Sequence, residues 1–352
     1  MGDGLRHPAD LAAWRRWQES RHPVRRLVRG ARGRVRETSP GPAVLLAPRA
    51  GADLLVAVEA THTSVALAVG APLEHLDPTR TAVLAPTGWS PPPAYASHVR
   101  RPVELAEVTA LAGTAAGTRA VLAAGHYTAI GAAAHAAAEQ AGVPFLVSQH
   151  GALTPFAPPL PRAAHLLAWS EADAAFWTAG RPDVRVTVTG SELLWRAGLA
   201  TGERAPSPTG GGPLTYLGQG HAAELSRVRL VESALASCRA HGATYRPHPS
   251  ECDRLSRAAH AGFRRAGITV DGSRPLAELT GPVVSVFSTG VLEAAAQGRD
   301  AWVDFRRPPT WLGEFWERYA MSRFGSAPTA APHRPEVEPA RRVAEILVEA
   351  TS

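Results

Sequence analysis

The sequence predicts an α/β protein made of two parallel-sheet units, and three observations carry that expectation. From residue 43 onward, short apolar runs alternate with Ala-rich helical stretches. The alternation breaks at residues 203–213, ERAPSPTGGGP, and then restarts. Ahead of it lies residues 1–42, a segment of different, arginine-rich texture. Strands separated by helices require crossover connections, and crossovers produce parallel pairing. At 352 residues the chain is also too long for one small core.

The elements follow in order. Residues 1–42 read as a basic Trp/Arg helical arm, with a helix from Pro8 to about His22 and a second basic stretch after Pro23. The first unit, residues 43–202, holds the runs AVLLAP, LLVAVEA, TAVLAP, RAVLAAG, VPFLVSQ, HLLAWS and VRVTVTG, all of strand character. HYTAIGAAAHAAAEQAG reads as a helix closed by Gly142, and SEADAAFWTAG as one with a Ser N-cap that ends on Gly180. Residues 203–213 form a linker of Pro, Ser and Gly without periodicity. The second unit, residues 214–330, opens with the strand LTYLGQG and the helix AAELSRVRLVESALASCRAHG. It continues with the strand ATYRPHP, the helix SECDRLSRAAHAGFRRAG and a short strand in ITVDG. PVVSVF, STGVLEAAAQGR and AWVDF add a strand, a helix and a strand. Residues 331–352 end in an amphipathic helix over about Glu336 to Ala350.

Composition excludes several classes. The 45% apolar content with interspersed charge rules out a disordered chain. No apolar run approaches the roughly 20 residues of a membrane span, and the run from Ala52 is interrupted by Glu59 and His62. The N-terminus lacks the apolar core of a secretory signal, which predicts a cytoplasmic protein. Cys238 and Cys252 have neither metal-ligand spacing nor a secretory context, so neither a disulfide nor a metal is expected. Every basic side chain other than histidine is Arg. Ten of them stand against three acids in residues 1–36, which exceeds the net charge of +6 of the whole chain. The body is therefore slightly acidic, and nucleic acid is not an expected partner. Trp14 and Trp17 beside Arg on the arm fit either the surface of an anionic membrane or anionic polymer, or a solvated helix packed on the body.

Candidate chemistry gathers just after predicted strands, where ligands of such sheets bind. In LGQGH, Gly218 and Gly220 would open a helix and offer backbone N–H groups to a phosphate. In YRPHPSE, Pro247 and Pro249 hold the backbone extended around His248, and Arg246 adds a fixed charge beside a helix start at Ser250. In VVSVFSTGVLE, Ser288, Thr289 and Gly290 sit where a strand gives way to a helix, with Glu293 one turn on. The hydroxyls suit a phosphate and the carboxylate a ribose diol; a plain N-cap is the other reading. In FLVSQHG, Gln149 and His150 end a strand, and His150 is a candidate general base. His126 and Tyr127 in AAGHYTA form a second candidate pair on the acceptor side.

The motifs VSQHG, LLAWSEADAAFWTAG with VRVTVTGSELL, LTYLGQG, RPHP and VFSTGVLEAAAQGR, in that order, resemble those of GT-B glycosyltransferases over residues 43–325. The similarity is greatest to bacterial branches with cytidine-activated donors. These are the CMP-sialic-acid or CMP-Kdo polymer transferases and the CDP-glycerol or CDP-ribitol polymerases of teichoic acid synthesis. The resemblance implies two Rossmann-like domains facing a cleft, the first for the acceptor and the second for the nucleotide donor. It implies that His248, Ser288 and Thr289 contact the donor phosphate, that Glu293 binds the ribose, and that His150 stands in the place of the base. The chain departs from the pattern in having no Trp before His150 and no Asp/Glu-Asp-Gly motif in its first half.

The expected function is thus a metal-independent transferase without a bound cofactor. It moves a glycosyl or polyol-phosphate group from a CMP- or CDP-linked donor to a hydroxyl of a cell-surface glycopolymer or glycolipid, in cell wall polysaccharide biosynthesis. The arm would place it peripherally at the inner face of the plasma membrane. A UDP-sugar-dependent glycosyltransferase or a sugar-nucleotide 2-epimerase of the same fold is the alternative enzyme. A non-catalytic polysaccharide-binding protein is the alternative of another class.

Overall fold

A computed structural model describes residues 4–21, 43–60, 62–105, 107, 108, 117–202 and 212–351. The basic stretch after Pro23 and most of the 203–213 linker lie outside the described residues. The chain divides into two compact units, one of Met1–Leu193 with Pro335–Ser352 and one of Leu194–Arg334.

Unit 1 begins with helix α1 (Leu11–Ser20), capped by Asp10, whose carboxylate accepts the Ala13 N–H at 2.8 Å. Its eight strands are β1 (Ala43–Ala47), β2 (Leu54–Ala57), β3 (Thr81–Pro86), β4 (Val99–Val103), β5 (Ala120–Ala123), β6 (Phe145–Ser148), β7 (His165–Ala168) and β8 (Arg185–Val188). They form one sheet in the order β4-β1-β3-β2-β5-β6-β7-β8. From β3 to β8 the pairing is parallel throughout. β2, β5, β6 and β7 are buried along their whole length, as strands covered on both faces must be.

One strand runs against expectation: β1 is antiparallel to both β3 and β4. Only residues 48–53 join it to β2, far short of the dozen or so that a parallel crossover needs. β4, VRRPV, was not foreseen, because four of its five residues are exposed and it carries Pro and two Arg. Those residues suit an edge strand that must not recruit another.

Helix α2 (Ala129–Ala141) links β5 to β6 and ends on Gly142 at φ 67°, as its sequence predicts. Its buried face is Ala133, Ala134, Ala137 and Ala138, small enough to bring the helix axis close to the sheet. Helix α3 (Glu171–Trp177) has the expected Ser170 cap, with Oγ accepting the Asp173 N–H at 3.1 Å. Helix α4 (Glu192–Gly202) carries the chain out of this unit.

Unit 2 contains β9 (Thr215–Leu217), helix α5 (Arg227–His241), β10 (Thr244–Arg246), helix α6 (Arg254–Arg265), β11 (Val283–Ser285), helix α7 (Thr289–Ala296), β12 (Ala301–Val303) and helix α8 (Thr310–Arg318). The sheet is parallel, in the order β10-β9-β11-β12. From β9 the chain steps to one side and from β11 to the other, so the strand order reverses between these two neighbours. Such a switch point opens a crevice at the carboxyl ends of the strands. The expected strand in ITVDG reduces to a single bridge between Val270 and Tyr245.

The last helix, α9 (Pro339–Glu349), packs in unit 1. Val343, Ala344, Ile346 and Leu347 join a core with Val44, Leu46, Val83 and Leu122. Its first turn is held by Glu192, whose buried carboxylate accepts the Ala340 N–H at 2.9 Å. No described helix is long and apolar enough to cross a membrane.

Candidate functional site

The carboxyl edge of the unit 2 sheet gathers most of the residues singled out by sequence. His248 follows β10, Gly218 and Gly220 follow β9, and Ser288 and Thr289 follow β11. β10 and β11 lie on either side of β9, two strand spacings or roughly 10 Å apart. Gln219 ties the two central strand ends together. Its Oε1 accepts the Phe287 N–H at 2.8 Å, while Ser285 Oγ donates to the Leu217 carbonyl at 2.9 Å.

His248 is half-buried, with its ring stacked on His221 at 3.9 Å between centroids. The Ser250 N–H donates to Nδ1 of His248 at 3.1 Å. A backbone N–H is an obligatory donor, so Nδ1 accepts and the ring carries its proton on Nε2. Arg246, the last residue of β10, donates from Nη2 to the Arg274 carbonyl at 3.1 Å. Its Nε is buried and has no hydrogen-bond partner. Ser288 caps α7 and accepts the Gly290 N–H at 3.1 Å, which leaves its own O–H available as a donor. Glu293, one turn into α7, is half-buried. Burial raises its pKa, and the nearby charges of Arg299 and Arg246 oppose that rise.

Three glycines do not have the role expected of them. The Gly218 N–H donates to the Arg246 carbonyl at 2.8 Å, and the Gly220 N–H to Glu251 Oε1 at 2.9 Å. The Gly290 N–H is taken by Ser288, so none of the three donors is open to a phosphate. Nor do Gly218 and Gly220 open a helix, since α5 starts only at Arg227. Their smallness has a packing cause. A Cβ on Gly218 would come within 2.4 Å of the Tyr245 hydroxyl, and one on Gly290 within 2.9 Å of Leu217.

The helix start expected at Ser250 is also displaced. α6 begins at Arg254 behind the cap Asp253, whose carboxylate accepts the Ser256 N–H at 2.7 Å. Against the effect of burial, that bond and Arg227 hold Asp253 down to about 2. The terminus of α6 is therefore already occupied by an anion.

Sequence reasoning missed the residue that organises this rim. Glu251 is buried, and both its oxygens are shared. Oε1 accepts from the Gly220 N–H at 2.9 Å and the His248 N–H at 3.3 Å. Oε2 accepts from the Tyr245 hydroxyl at 2.8 Å and lies 2.9 Å from His260 Nε2. The two prolines do not present His248 alone; Glu251 pins the RPHP and LGQG loops to each other. The available signal was an acid placed directly after RPHPS, and His221 directly after LGQG.

The carboxyl edge of the unit 1 sheet holds a second cluster. His150 follows β6, and its Nε2 lies 3.2 Å from the Tyr127 hydroxyl, while its Nδ1 is buried without a partner. Burial pulls His150 down to about 4, so the ring is neutral at physiological pH. His126 is also pulled down to about 4, by burial first and then by His135, Arg15 and Arg181. Burial, with the negative charge of Glu59, raises the Tyr127 phenol.

Gln149 is not an acceptor-side group. Its Oε1 accepts the Trp169 N–H at 2.9 Å, its carbonyl accepts the Trp169 indole N–H at 2.8 Å, and its Nε2 donates to the Gly151 carbonyl at 3.1 Å. Buried, with both the oxygen and the nitrogen of its amide bonded, it staples the end of β6 to the end of β7.

Glu59, noted in the sequence only as an interruption of an apolar run, stands two residues past β2. Its Oε1 accepts the Ala124 and Gly125 N–H groups at 2.9 Å each, and its Oε2 accepts the Thr128 hydroxyl at 3.0 Å. Thr128 in turn caps α2 through the Gly131 N–H. Burial outweighs these bonds and raises Glu59 to about 7.

The arm's helix packs on this edge. The Trp14 indole N–H donates to the Phe156 carbonyl at 2.7 Å, its ring meets Tyr127 edge-on, and Trp17 stacks on Phe156. Of the two readings of the arm, its tryptophans fit the packed helix; Arg15, Arg16 and Arg21 remain exposed. Compared with known proteins, the chain matches no family model, no curated protein and no solved structure.

Proposed function

We propose that the protein is a transferase that moves a glycosyl or polyol-phosphate group from a nucleotide-activated donor, CMP- or CDP-linked, to a hydroxyl of a glycopolymer or glycolipid. Unit 2 is the donor unit in this reading. The observation that carries it is the buried, unpartnered Nε of Arg246, on a rim that also holds His248 and the hydroxyl of Ser288. A buried guanidinium N–H without an acceptor is costly, and a phosphate oxygen is the acceptor that best complements it.

The reaction forms a bond from the acceptor oxygen to the transferred carbon or phosphorus. The bond to the nucleotide phosphate breaks, and its electron pair leaves with the nucleotide. Arg246, His248, Ser288 and Thr289 stabilise the charge that builds on that phosphate. Glu293 takes the ribose diol. The acceptor's proton passes to a general base, the role for which His150, neutral at physiological pH, is the candidate.

The test is thermal denaturation of the whole protein with CMP, CDP, UDP and GDP. CMP or CDP at 100 times its Kd stabilises by about 3 kcal/mol, and His248→Ala abolishes that shift. Stabilisation by UDP alone refutes the cytidine assignment. A nucleotide shift that survives in His248→Ala refutes the rim as the phosphate site.

A further inference from the structure

A cavity of about 240 Å³ lies outside the proposed rim, between α5 and the loop that follows β12. Arg229, Glu232 and Ser233 of α5 line it from one side, and Phe305, Arg306 and Arg307 from the other. The proposed reaction uses none of these residues. The volume falls below the roughly 300–1,000 Å³ of drug-sized pockets, so the cavity suits a small ligand.

The loop is held in a costly shape. Arg307 has φ 53°, a left-handed backbone unfavourable for any residue with a side chain, and it precedes Pro308, which favours an extended neighbour. Arg229 holds it there. Its guanidinium lies over the Phe305 ring at 5.0 Å, and its Nη2 donates to the Arg307 carbonyl at 2.7 Å and the Arg306 carbonyl at 3.4 Å. Two successive arginines thus line one cavity, where an extended chain would turn them to opposite sides. Neither Arg306 nor Arg307 has an ion pair or a side-chain hydrogen bond among the described residues. The hydroxyls of Ser233 and of Tyr216 close to it are buried, and neither has a hydrogen bond of good geometry. Leaving a buried hydroxyl unsatisfied is costly, and Ser233 faces the cavity.

Three guanidinium groups face one carboxylate, so the lining is doubly positive. A phosphomonoester brings roughly two negative charges at neutral pH, and oxygens that arginine forks bind in pairs. A carboxylate ligand would leave half of that charge unmet. Ionised Glu232 only accepts, so it calls for a hydroxyl on the same ligand. We propose that this cavity binds the phosphomonoester of a small polyol or sugar, with the phosphate on Arg229, Arg306 and Arg307 and hydroxyls on Glu232 and Ser233. The site stands apart from the rim and does not depend on the transferase reading.

Isothermal titration of the whole protein with glycerol 3-phosphate, at low ionic strength, reads the site. The wild type binds it, and does not bind glycerol, which lacks the charge. Replacing both Arg306 and Arg307 by Gln weakens binding by roughly tenfold or more. Both side chains are exposed, so that variant keeps its fold. Glu232→Ala lowers the preference for glycerol 3-phosphate over inorganic phosphate. Unchanged binding in the double variant overturns the proposal, and an unchanged preference in Glu232→Ala overturns its polyol part. Binding that survives in the double variant and is lost in His248→Ala places the phosphate at the rim instead. Flotation with vesicles of phosphatidylcholine and phosphatidic acid gives the source of the ester. Glycerol 3-phosphate bound without flotation assigns a soluble ester, and flotation that the double variant abolishes assigns a lipid headgroup. Failure of both overturns the site.

Discussion

At the scale of single residues, two glutamates, Glu251 buried and Glu59 half-buried, do the organising that the sequence assigned to glycines and prolines. Glu251 uses backbone, hydroxyl and imidazole donors together, whereas Glu59 is held by two N–H groups and one hydroxyl. At Glu59 burial outweighs these bonds, and the pKa rises from 4.5 to about 7. Between those values the folded protein binds a proton at Glu59 that the unfolded chain has already released. The contribution of Glu59 to stability is thus fully present below 4.5, declines as pH rises, and is gone above 7. Its size is on the order of 3 kcal/mol. Glu59→Gln does not titrate, so the wild type should lose ground to it across this window, by about 5–10 °C in Tm for a unit of this size. Parallel melts at pH 4.5 and pH 7.5 check this, and a constant difference between the two proteins contradicts the raised pKa.

At the scale of elements, the switch point between β9 and β11 depends on one side chain. The buried Phe287 N–H has Gln219 Oε1 as its acceptor, and both belong to the loops that carry the proposed phosphate site. Gln219→Ala orphans that N–H and should cost about 1–3 kcal/mol. Gln219→Glu keeps an acceptor and should cost less. Urea unfolding measures both, and hydrogen exchange at the Phe287 amide should quicken only in the alanine variant. These strand ends were legible because β9 and β11 are apolar runs that stop at Gly-Gln-Gly and at Ser-Thr-Gly. Gln219 itself was not, since an amide between two glycines has no periodicity to betray its partner 68 positions on. The same limit explains β1. Its composition is that of any buried strand, and only the brevity of residues 48–53 bears on its direction. β4 was invisible for the opposite reason, being an exposed edge with Arg and Pro.

At the scale of the whole molecule, the fold class was legible because buried strands and Ala-rich helices obey different periods. The candidate rim was legible because ligand edges lie at strand ends. The arm shows where composition decides nothing. Ten arginines and two tryptophans suit a surface-seeking segment and a packed helix alike, and the described part is tied to unit 1 at four points. The Arg6 N–H donates to the Pro155 carbonyl at 2.8 Å, Arg181 donates to the Pro8 carbonyl at 2.8 Å, and Trp14 and Trp17 engage Phe156. Charge density was visible in the sequence, and the 142-residue separation of Trp14 from its acceptor was not. The arm's two kinds of side chain should therefore behave oppositely. Trp14→Ala removes a buried indole and should cost about 3–5 kcal/mol, uncovering Tyr127 as it does so. Replacing the exposed Arg15 and Arg16 by Gln should leave stability within about 0.5 kcal/mol per residue. Urea unfolding of the two variants separates the cases. A Trp14→Ala protein as stable as wild type would mean that the helix is an appendage. The expected loss means that the covering of the Tyr127–His150 edge is part of the fold of unit 1.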